Sequence, residues 1–138
     1  MSTNTTVAIG RRLAQWAVTL AAGLLLGGAA AAHHSFSVFD MQTNKDLEGE
    51  VIEFQWTNPH SFLWINVTNA DGSKTRWGLE GMSPNFLGRR GWSKNTFKPG
   101  DKIEVTIWPL KSGEPGGTLQ RATLPDGTEV VNFGRGPA

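Results

Sequence analysis

Three segments between residues 47 and 80 decide the fold: LEGEVIEFQW at 47–56, SFLWINVTN at 61–69 and KTRWGLE at 74–80. Alternate residues of the second segment form two sets, Leu63, Ile65 and Val67 against Phe62, Trp64, Asn66 and Thr68. An alternation of period two places such sets on opposite faces of a strand. The three segments therefore predict an antiparallel meander with one apolar face.

Turn residues separate these segments. Thr57-Asn58-Pro59-His60 interrupts the first pair, because proline donates no ladder hydrogen bond and Asn-Pro favours a turn. Asn69-Ala70-Asp71-Gly72 supplies a glycine for the positive φ that a tight hairpin needs. Both connections are short, so neighbouring segments are expected to pair.

The next part of the chain begins with a helix signal. Ser83 can cap a helix, Pro84 suits the first helical position, and Arg89-Arg90 favour the last turn, which predicts a short helix at 83–90. Further strands are predicted at 102–109 with Ile103, Val105 and Ile107 facing inward, near 118–124 after a Gly/Pro-rich loop at 112–117, and at 128–133.

This order of elements predicts an all-β fold. Three strands, a short helix and two or three more strands are typical of a small OB-like barrel of five to six strands. A generic small β-barrel with an incidental helix is the alternative. With 138 residues, one domain is expected.

The head of the chain has the pattern of a secretory signal. Arg11-Arg12 precede an apolar run at 17–26, and 27–32 contains only Gly and Ala. The run is short for a membrane span, which needs about 20 apolar residues. We predict a cleaved signal-peptide helix at 1–32, export by the general secretory route to the periplasm or beyond, and no stable membrane span after processing. Twin-arginine export and an uncleaved anchor are the alternatives.

The remaining chain divides into an arm at 33–46, the barrel at 47–133 and a disordered tail at 134–138. Its 106 residues carry 11 Lys+Arg against 12 Asp+Glu, a balance that argues against nucleic acid as a partner. There is no Cys, which excludes disulfides, thiolate metal sites and cysteine nucleophiles.

The three histidines, His33, His34 and His60, suggest a metal site. Cleavage after Ala32 places the α-amine and the imidazole of His33 together, a chelating pair for copper. Cleavage after Ala31 instead offers the amine, two backbone amides and the His34 imidazole, a nitrogen square that suits Cu(II) or Ni(II). We predict copper as the cofactor, with His60 as a third ligand from the turn.

Weaker metal ligands, and a role without metal, remain open. Met41 and Met82 are soft donors for Cu(I), and Asp40 and Glu80 are weaker candidates. The alternative is a solvated arm with incidental metal affinity and a His60 that only caps its turn. A structural zinc site is not favoured, because three His and no Cys do not supply four fixed ligands.

A second hypothesis uses aromatic side chains. Phe62, Trp64 and Trp108 alternate with the apolar core set, and OB folds bind ligands on the strand 2–3 face. This pattern predicts a module that binds a small molecule or a protein, unless the helix or the arm covers the rings. Ser35 and Ser61 stand beside histidines without a nucleophile motif, which favours a non-enzymatic protein. A redox enzyme with a copper site at the terminus is a third alternative.

Several strings together resemble a known family. AHHSFSVFD at 32–40, WTNPHSFLWINV at 56–67, RRGW at 89–92 and LPDG at 124–127 occur in this order. The chain from about 32 to 130 is similar to an uncharacterised family of small exported proteobacterial proteins. The resemblance implies a periplasmic OB-like domain, and it implies no activity, since the family has none established.

Overall fold

A computed structural model describes residues 36–133. A 3-10 turn at Phe36–Val38 is followed by six strands and one helix, in the order β1 (Lys45–Gln55), β2 (Phe62–Thr68), β3 (Lys74–Glu80), α1 (Pro84–Gly88), β4 (Lys102–Pro109), β5 (Gly116–Thr123) and β6 (Glu129–Val131). The predicted β3 and β4 have the observed bounds, and the other predicted elements differ at each end by one or two residues. No helix in this part of the chain is long and apolar enough to cross a membrane.

The strands close into a barrel. The sheet order is β3-β2-β1-β4-β5-β6, and a parallel pairing of β3 with β5 joins the two sides. Five strands thus form a closed ring, and β6 extends it by pairing with the end of β5. With α1 between β3 and β4, this connectivity is the OB-like arrangement, and the predicted all-β small barrel is confirmed.

The core follows from the period-two alternation. Leu63, Ile65 and Leu79 from β2 and β3 are almost fully buried, as predicted for the inward set. The inward side chains of β4 and β5 complete the interior: Ile103, Val105, Ile107, Leu119 and Ala122. Each large apolar side chain buried here contributes about 1.5–3 kcal/mol to folding.

β1 is the longest strand and pairs on both sides. Its first half pairs with β4 and its second half with β2, with a register shift between Val51 and Glu53. Such a bulge bends the strand, which allows it to pass from one side of the barrel to the other. It also explains why the alternation of this segment is loose in the sequence.

The segment between β3 and β4, residues 81–100, covers one end of the barrel and is called the cap below. Ser83 accepts a hydrogen bond from the Phe86 N–H at 3.3 Å and Pro84 begins α1, as predicted from the capping signal. Leu87, Trp92 and Phe97 are buried in the core cluster. The cap is therefore an apolar plug with a polar outer surface, a role that the sequence patterns did not predict for Trp92 and Phe97.

The predicted loop at 112–117 is wrong at its end, where Gly116 and Gly117 are buried residues of β5. A Cβ on Gly116 would lie 2.8 Å from Leu110 Cδ1. The same Cβ would lie 3.3 Å from the Gly78 carbonyl oxygen of β3, so Gly116 permits the close approach of β3 and β5 that closes the barrel. In the sequence, these glycines resemble a flexible tip.

The arm before β1 is attached to the end of β4. Phe39 is buried and forms a bridge with Leu110, and the Val38 carbonyl accepts the Lys111 N–H at 2.9 Å. The Asp40 N–H donates to the Pro109 carbonyl at 2.8 Å. The strand pairing of β1 begins at Lys45, two residues before the predicted start.

Candidate functional site

The outer surface of β1, β2 and β3 carries two of the three predicted aromatic residues. Phe62 and Trp64 alternate with the buried Leu63 and Ile65, so both rings project outward from β2. The inward and outward sets of β2 are therefore those that the sequence predicted.

Strand register connects the third aromatic residue to the same surface. Phe62 pairs with Glu80 of β3, Glu80 pairs with Thr118 of β5, and Thr118 pairs with Trp108 of β4. Directly paired residues share a face of a sheet. Phe62 and Trp108 therefore belong to one outward row and are separated by Glu80 and Thr118.

Trp64 lies in a stack of three groups. Its ring is stacked on Phe62, with centroids 6.1 Å apart, and the Arg76 guanidinium lies 4.4 Å from the Trp64 centroid. The stack needs space over β3, which Gly78 provides: a Cβ on Gly78 would lie 2.6 Å from Trp64 Cζ3. We call the surface formed by Glu53, Phe62, Trp64, Arg76 and Glu80 the aromatic face.

The aromatic face retains one unpaired polar atom. Trp64 Nε1 is buried and has no hydrogen-bond partner among the residues that the structure describes. A buried donor without an acceptor costs about 1–3 kcal/mol. The indole is thus held by ring contacts and not by its polar atom.

Trp108 is held separately from this stack. Its ring contacts Phe133, with ring centroids 5.5 Å apart. Phe62, Trp64 and Trp108 therefore form a stacked pair and a separate third ring, and not the single three-ring cluster that a groove would require.

His60 lies at the edge of the aromatic face. Its Nδ1 contacts Glu80 Oε1, and the exposed fractions of the two side chains are 33% and 19%. The turn around it is closed by Thr57, whose hydroxyl donates to the His60 carbonyl at 3.3 Å. The contact occupies Nδ1, so any metal coordination by His60 would have to use Nε2.

Buried polar groups fix this end of the barrel. The Ser61 hydroxyl donates to the Met82 carbonyl at 2.9 Å, and Thr118 donates to the Glu80 carbonyl at 3.1 Å. Asn132, fully buried, accepts the Met82 N–H at 2.9 Å and donates to the Leu119 carbonyl at 2.6 Å. These bonds hold the backbone that presents His60 and Glu80.

The predicted metal site is not assembled within the described part of the chain. His33 and His34 lie outside residues 36–133, as does the predicted tail at 134–138. Among residues 36–133, no group of three His, Asp or Glu side chains could hold a metal ion. Of the weaker candidates, Met41 is exposed, and Glu80 contacts His60.

Three exposed aspartates have lowered pKa values. The Thr43 hydroxyl lowers the pKa of Asp40, the Ser73 hydroxyl lowers that of Asp71, and the Thr128 N–H lowers that of Asp126, each by a hydrogen bond to the carboxylate. Each carboxylate stabilises a turn and lies outside the aromatic face.

Sequence reasoning missed the two β3 residues that lie against the Trp64 ring. Arg76 and Gly78 were not singled out as partners of Trp64, although both alternate with the buried Leu79 on β3. A register that pairs Trp64 with a glycine would have indicated them, because aromatic side chains often cover a cross-strand glycine.

The fold and this surface define a small OB-like β-barrel with an aromatic outer face. A family described as a family of unknown function, DUF6152, matches residues 22–126, and the chain belongs to that family. No curated protein and no solved structure matches the chain.

Proposed function

We propose that the protein is an exported, non-catalytic module that binds a protein partner through its aromatic face. The observation that carries this proposal is the stack of Phe62, Trp64 and Arg76 on the outside of the barrel. Trp and Arg are the side chains that dominate the binding energy of protein interfaces. Because the stack is already ordered, less side-chain entropy is lost when a partner binds.

The shape of the face favours a protein over a small molecule. Small-molecule sites are concave and enclose most of the ligand, whereas this face is the outer surface of a sheet. The rings of Trp64 are already in contact with Phe62 and Arg76, so a sugar or base would have to displace one of them. A protein can instead cover the edges of the stack without displacing any of its three groups.

Cross-linking inside the exporting cell tests the proposal. A photo-reactive phenylalanine at position 53, which pairs with Trp64, should give one adduct of defined mass. The matched control is position 70, an exposed residue in the β2–β3 turn. The proposal predicts that the adduct forms from position 53 only and is lost in Arg76→Ala. Equal adducts from both positions, or none, would contradict it.

Export is the part of the proposal that rests on the sequence of the head. Arg11-Arg12, the apolar run at 17–26 and the Gly/Ala segment at 27–32 support it. Mass spectrometry of the protein from the cell envelope should find a mature chain that begins at Ala32 or His33. An intact Met1 on the accumulated protein would contradict cleavage.

We also propose copper binding at that mature terminus, with His33 and His34 as ligands and His60 as a third. One observation favours His60: Glu80 contacts its Nδ1, and ligating histidines commonly give their second nitrogen to a carboxylate. Titration of the processed protein with Cu(II) should show binding at least about tenfold tighter than in His33→Ala/His34→Ala. Equal affinities would remove the site, and an unchanged affinity in His60→Ala would remove only the third ligand.

A further inference from the structure

Charge is segregated between the cap and the rest of the barrel. The cap contains four cations, Arg89, Arg90, Lys94 and Lys98, and no carboxylate. The remainder of the described chain, residues 36–80 and 101–133, contains six cations against twelve carboxylates. All four cap cations are exposed. One chain therefore carries both a basic surface and an excess of acidic surface.

Some of the acidic residues line a groove. The groove has a volume of about 440 Å³ and is lined by residues of all five barrel strands and by Leu124 and Pro125. Glu48, Glu50 and Glu104 line it, together with Lys74, Lys102 and the apolar Leu124. We call it the acidic groove. It contains no residue of the aromatic face but adjoins it, because Asn66 in its wall is the register partner of Arg76.

Two of these carboxylates oppose each other. Glu48 of β1 and Glu104 of β4 are direct register partners on the outer surface, and like charges in such positions repel. Both lysines of the groove are next to the third carboxylate, Glu50. Lys74 Nζ lies 3.8 Å from Glu50 Oε2, and Lys102 is the register partner of Glu50. A cation from another molecule could therefore bind between Glu48 and Glu104 and neutralise their charges.

The cap supplies a group of matching chemistry on an exposed turn. Arg89 follows α1 between Gly88 and Gly91, and every residue from 88 to 91 is exposed. A Cβ on Gly88 or Gly91 would meet no atom within 4 Å, so both glycines border open space, and the Arg90 guanidinium lies 4.6 Å from the centroid of the Phe86 ring. A guanidinium is planar and can donate to two carboxylates at once.

We propose that this turn of one copy binds in the acidic groove of a second copy, with the Arg89 guanidinium between Glu48 and Glu104. Arg90 and Lys94 add to the attraction by their charge. Turn and groove are different surfaces, so the contact is head to tail and leaves a free turn and a free groove at the ends of each pair. The inference goes beyond the proposed function and does not depend on it.

Sedimentation velocity of the mature protein tests the inference. In about 20 mM salt the protein should form dimers and longer chains, and in about 500 mM salt it should be monomeric, because salt screens exposed charges. Arg89→Gln and Glu48→Gln/Glu104→Gln should each lower the association constant by about tenfold or more. Glu114→Gln is the matched control: it removes one exposed carboxylate outside both the acidic groove and the aromatic face and should leave association unchanged.

A charge exchange makes the test specific. Arg89→Glu/Arg90→Glu and Glu48→Lys/Glu104→Lys should each be monomeric alone, and a mixture of the two should associate again. The second variant keeps two like charges opposed, so its folding stability stays close to that of the original. Circular dichroism of each variant confirms the fold before sedimentation.

Three results would overturn the inference. They are a monomer in low salt, association that the single-surface variants do not weaken, and a mixture that fails to associate although both variants are folded. Binding of the monomer to phosphatidylglycerol vesicles that is lost in Arg89→Gln would assign the cap to a lipid surface instead, and would equally overturn it.

Discussion

The aromatic face and the acidic groove lie on the same barrel and share β1, yet their side chains are organised in opposite ways. On the aromatic face Trp64 is stacked on Phe62 and under Arg76, and His60 contacts Glu80. In the acidic groove Glu48 opposes Glu104 across two strands. The side chains of the aromatic face attract one another within the chain, whereas Glu48 and Glu104 of the acidic groove repel each other.

This difference separates two kinds of interaction. The aromatic face would bind a partner through the area and shape of its rings, so its affinity for that partner should change little with salt. A surface with opposed charges binds through neutralisation, so its affinity should fall steeply as salt rises. The comparison also implies that substitutions at the two surfaces shift folding stability in opposite directions.

The largest effect is expected at Gly78. A Cβ at this position would lie 2.6 Å from the Trp64 ring, so Gly78→Ala should displace the indole and disrupt the stack. We expect a loss of about 1–3 kcal/mol in the free energy of unfolding, the range for overpacking. Urea unfolding measures it. Gly88→Ala is the matched control, since a Cβ there meets no atom within 4 Å, and an equal loss in both variants would contradict the steric cause.

Removal of the cation from the stack should have a smaller effect. Arg76→Met keeps an apolar stem and removes the guanidinium over Trp64. The loss expected for an exposed cation–π pair is about 0.5–1 kcal/mol, with part of it recovered in Arg76→Lys. Urea unfolding and the fluorescence of the folded state provide the two readouts. A stability equal to the original in Arg76→Met would show that the guanidinium does not stabilise the stack.

The acidic groove should respond with the opposite sign. Glu104→Lys converts the opposed pair with Glu48 into a cross-strand ion pair, and should raise the free energy of unfolding by about 0.2–1 kcal/mol. Urea unfolding measures this effect as a higher midpoint concentration with an unchanged slope m. Glu53→Lys is the control, because Glu53 is paired with Trp64 and not with a carboxylate. A destabilised Glu104→Lys variant would contradict the repulsion.

The smallest effect concerns the turn that follows β2. A hydrogen bond from the Ser73 hydroxyl lowers the pKa of Asp71 in the folded state, so the unfolded chain binds the proton more tightly. The resulting stabilisation is complete above the unfolded pKa of about 3.9 and is lost as the pH falls through the folded value. Asp71→Asn should therefore lower the melting temperature at pH 7. The difference in melting temperature between the variant and the original protein should shrink as the pH approaches 2. A gap that stays constant with pH would show that the charge of Asp71 does not stabilise the turn.

Much of the fold could be predicted because the alternation of apolar residues is local. Ile103, Val105 and Ile107 indicate an inward face within one segment, and Ser83-Pro84 indicates a helix start. Gly116 and Gly117 could not be assigned in this way, because only their pairing with β3 and β4 shows that they belong to a strand.

The candidate site was predictable only in part, for the same reason. The outward direction of Phe62 and Trp64 follows from β2 alone. Their partners Arg76 and Glu80 depend on the β2–β3 register, and the pairing of Glu48 with Glu104 joins residues far apart in the chain. Such contacts are set by tertiary pairing, which single-strand patterns do not encode.

The central claim, that the aromatic face binds a partner, is tested most directly by the reactivity of a single thiol. Because the chain contains no cysteine, Glu53→Cys and Ala70→Cys each introduce one reporter, on the aromatic face and in the β2–β3 turn. We predict that position 53 is alkylated about tenfold more slowly in intact cells than in the purified protein, and that position 70 reacts alike in both. Equal reactivity of position 53 in cells and in purified protein would contradict the claim.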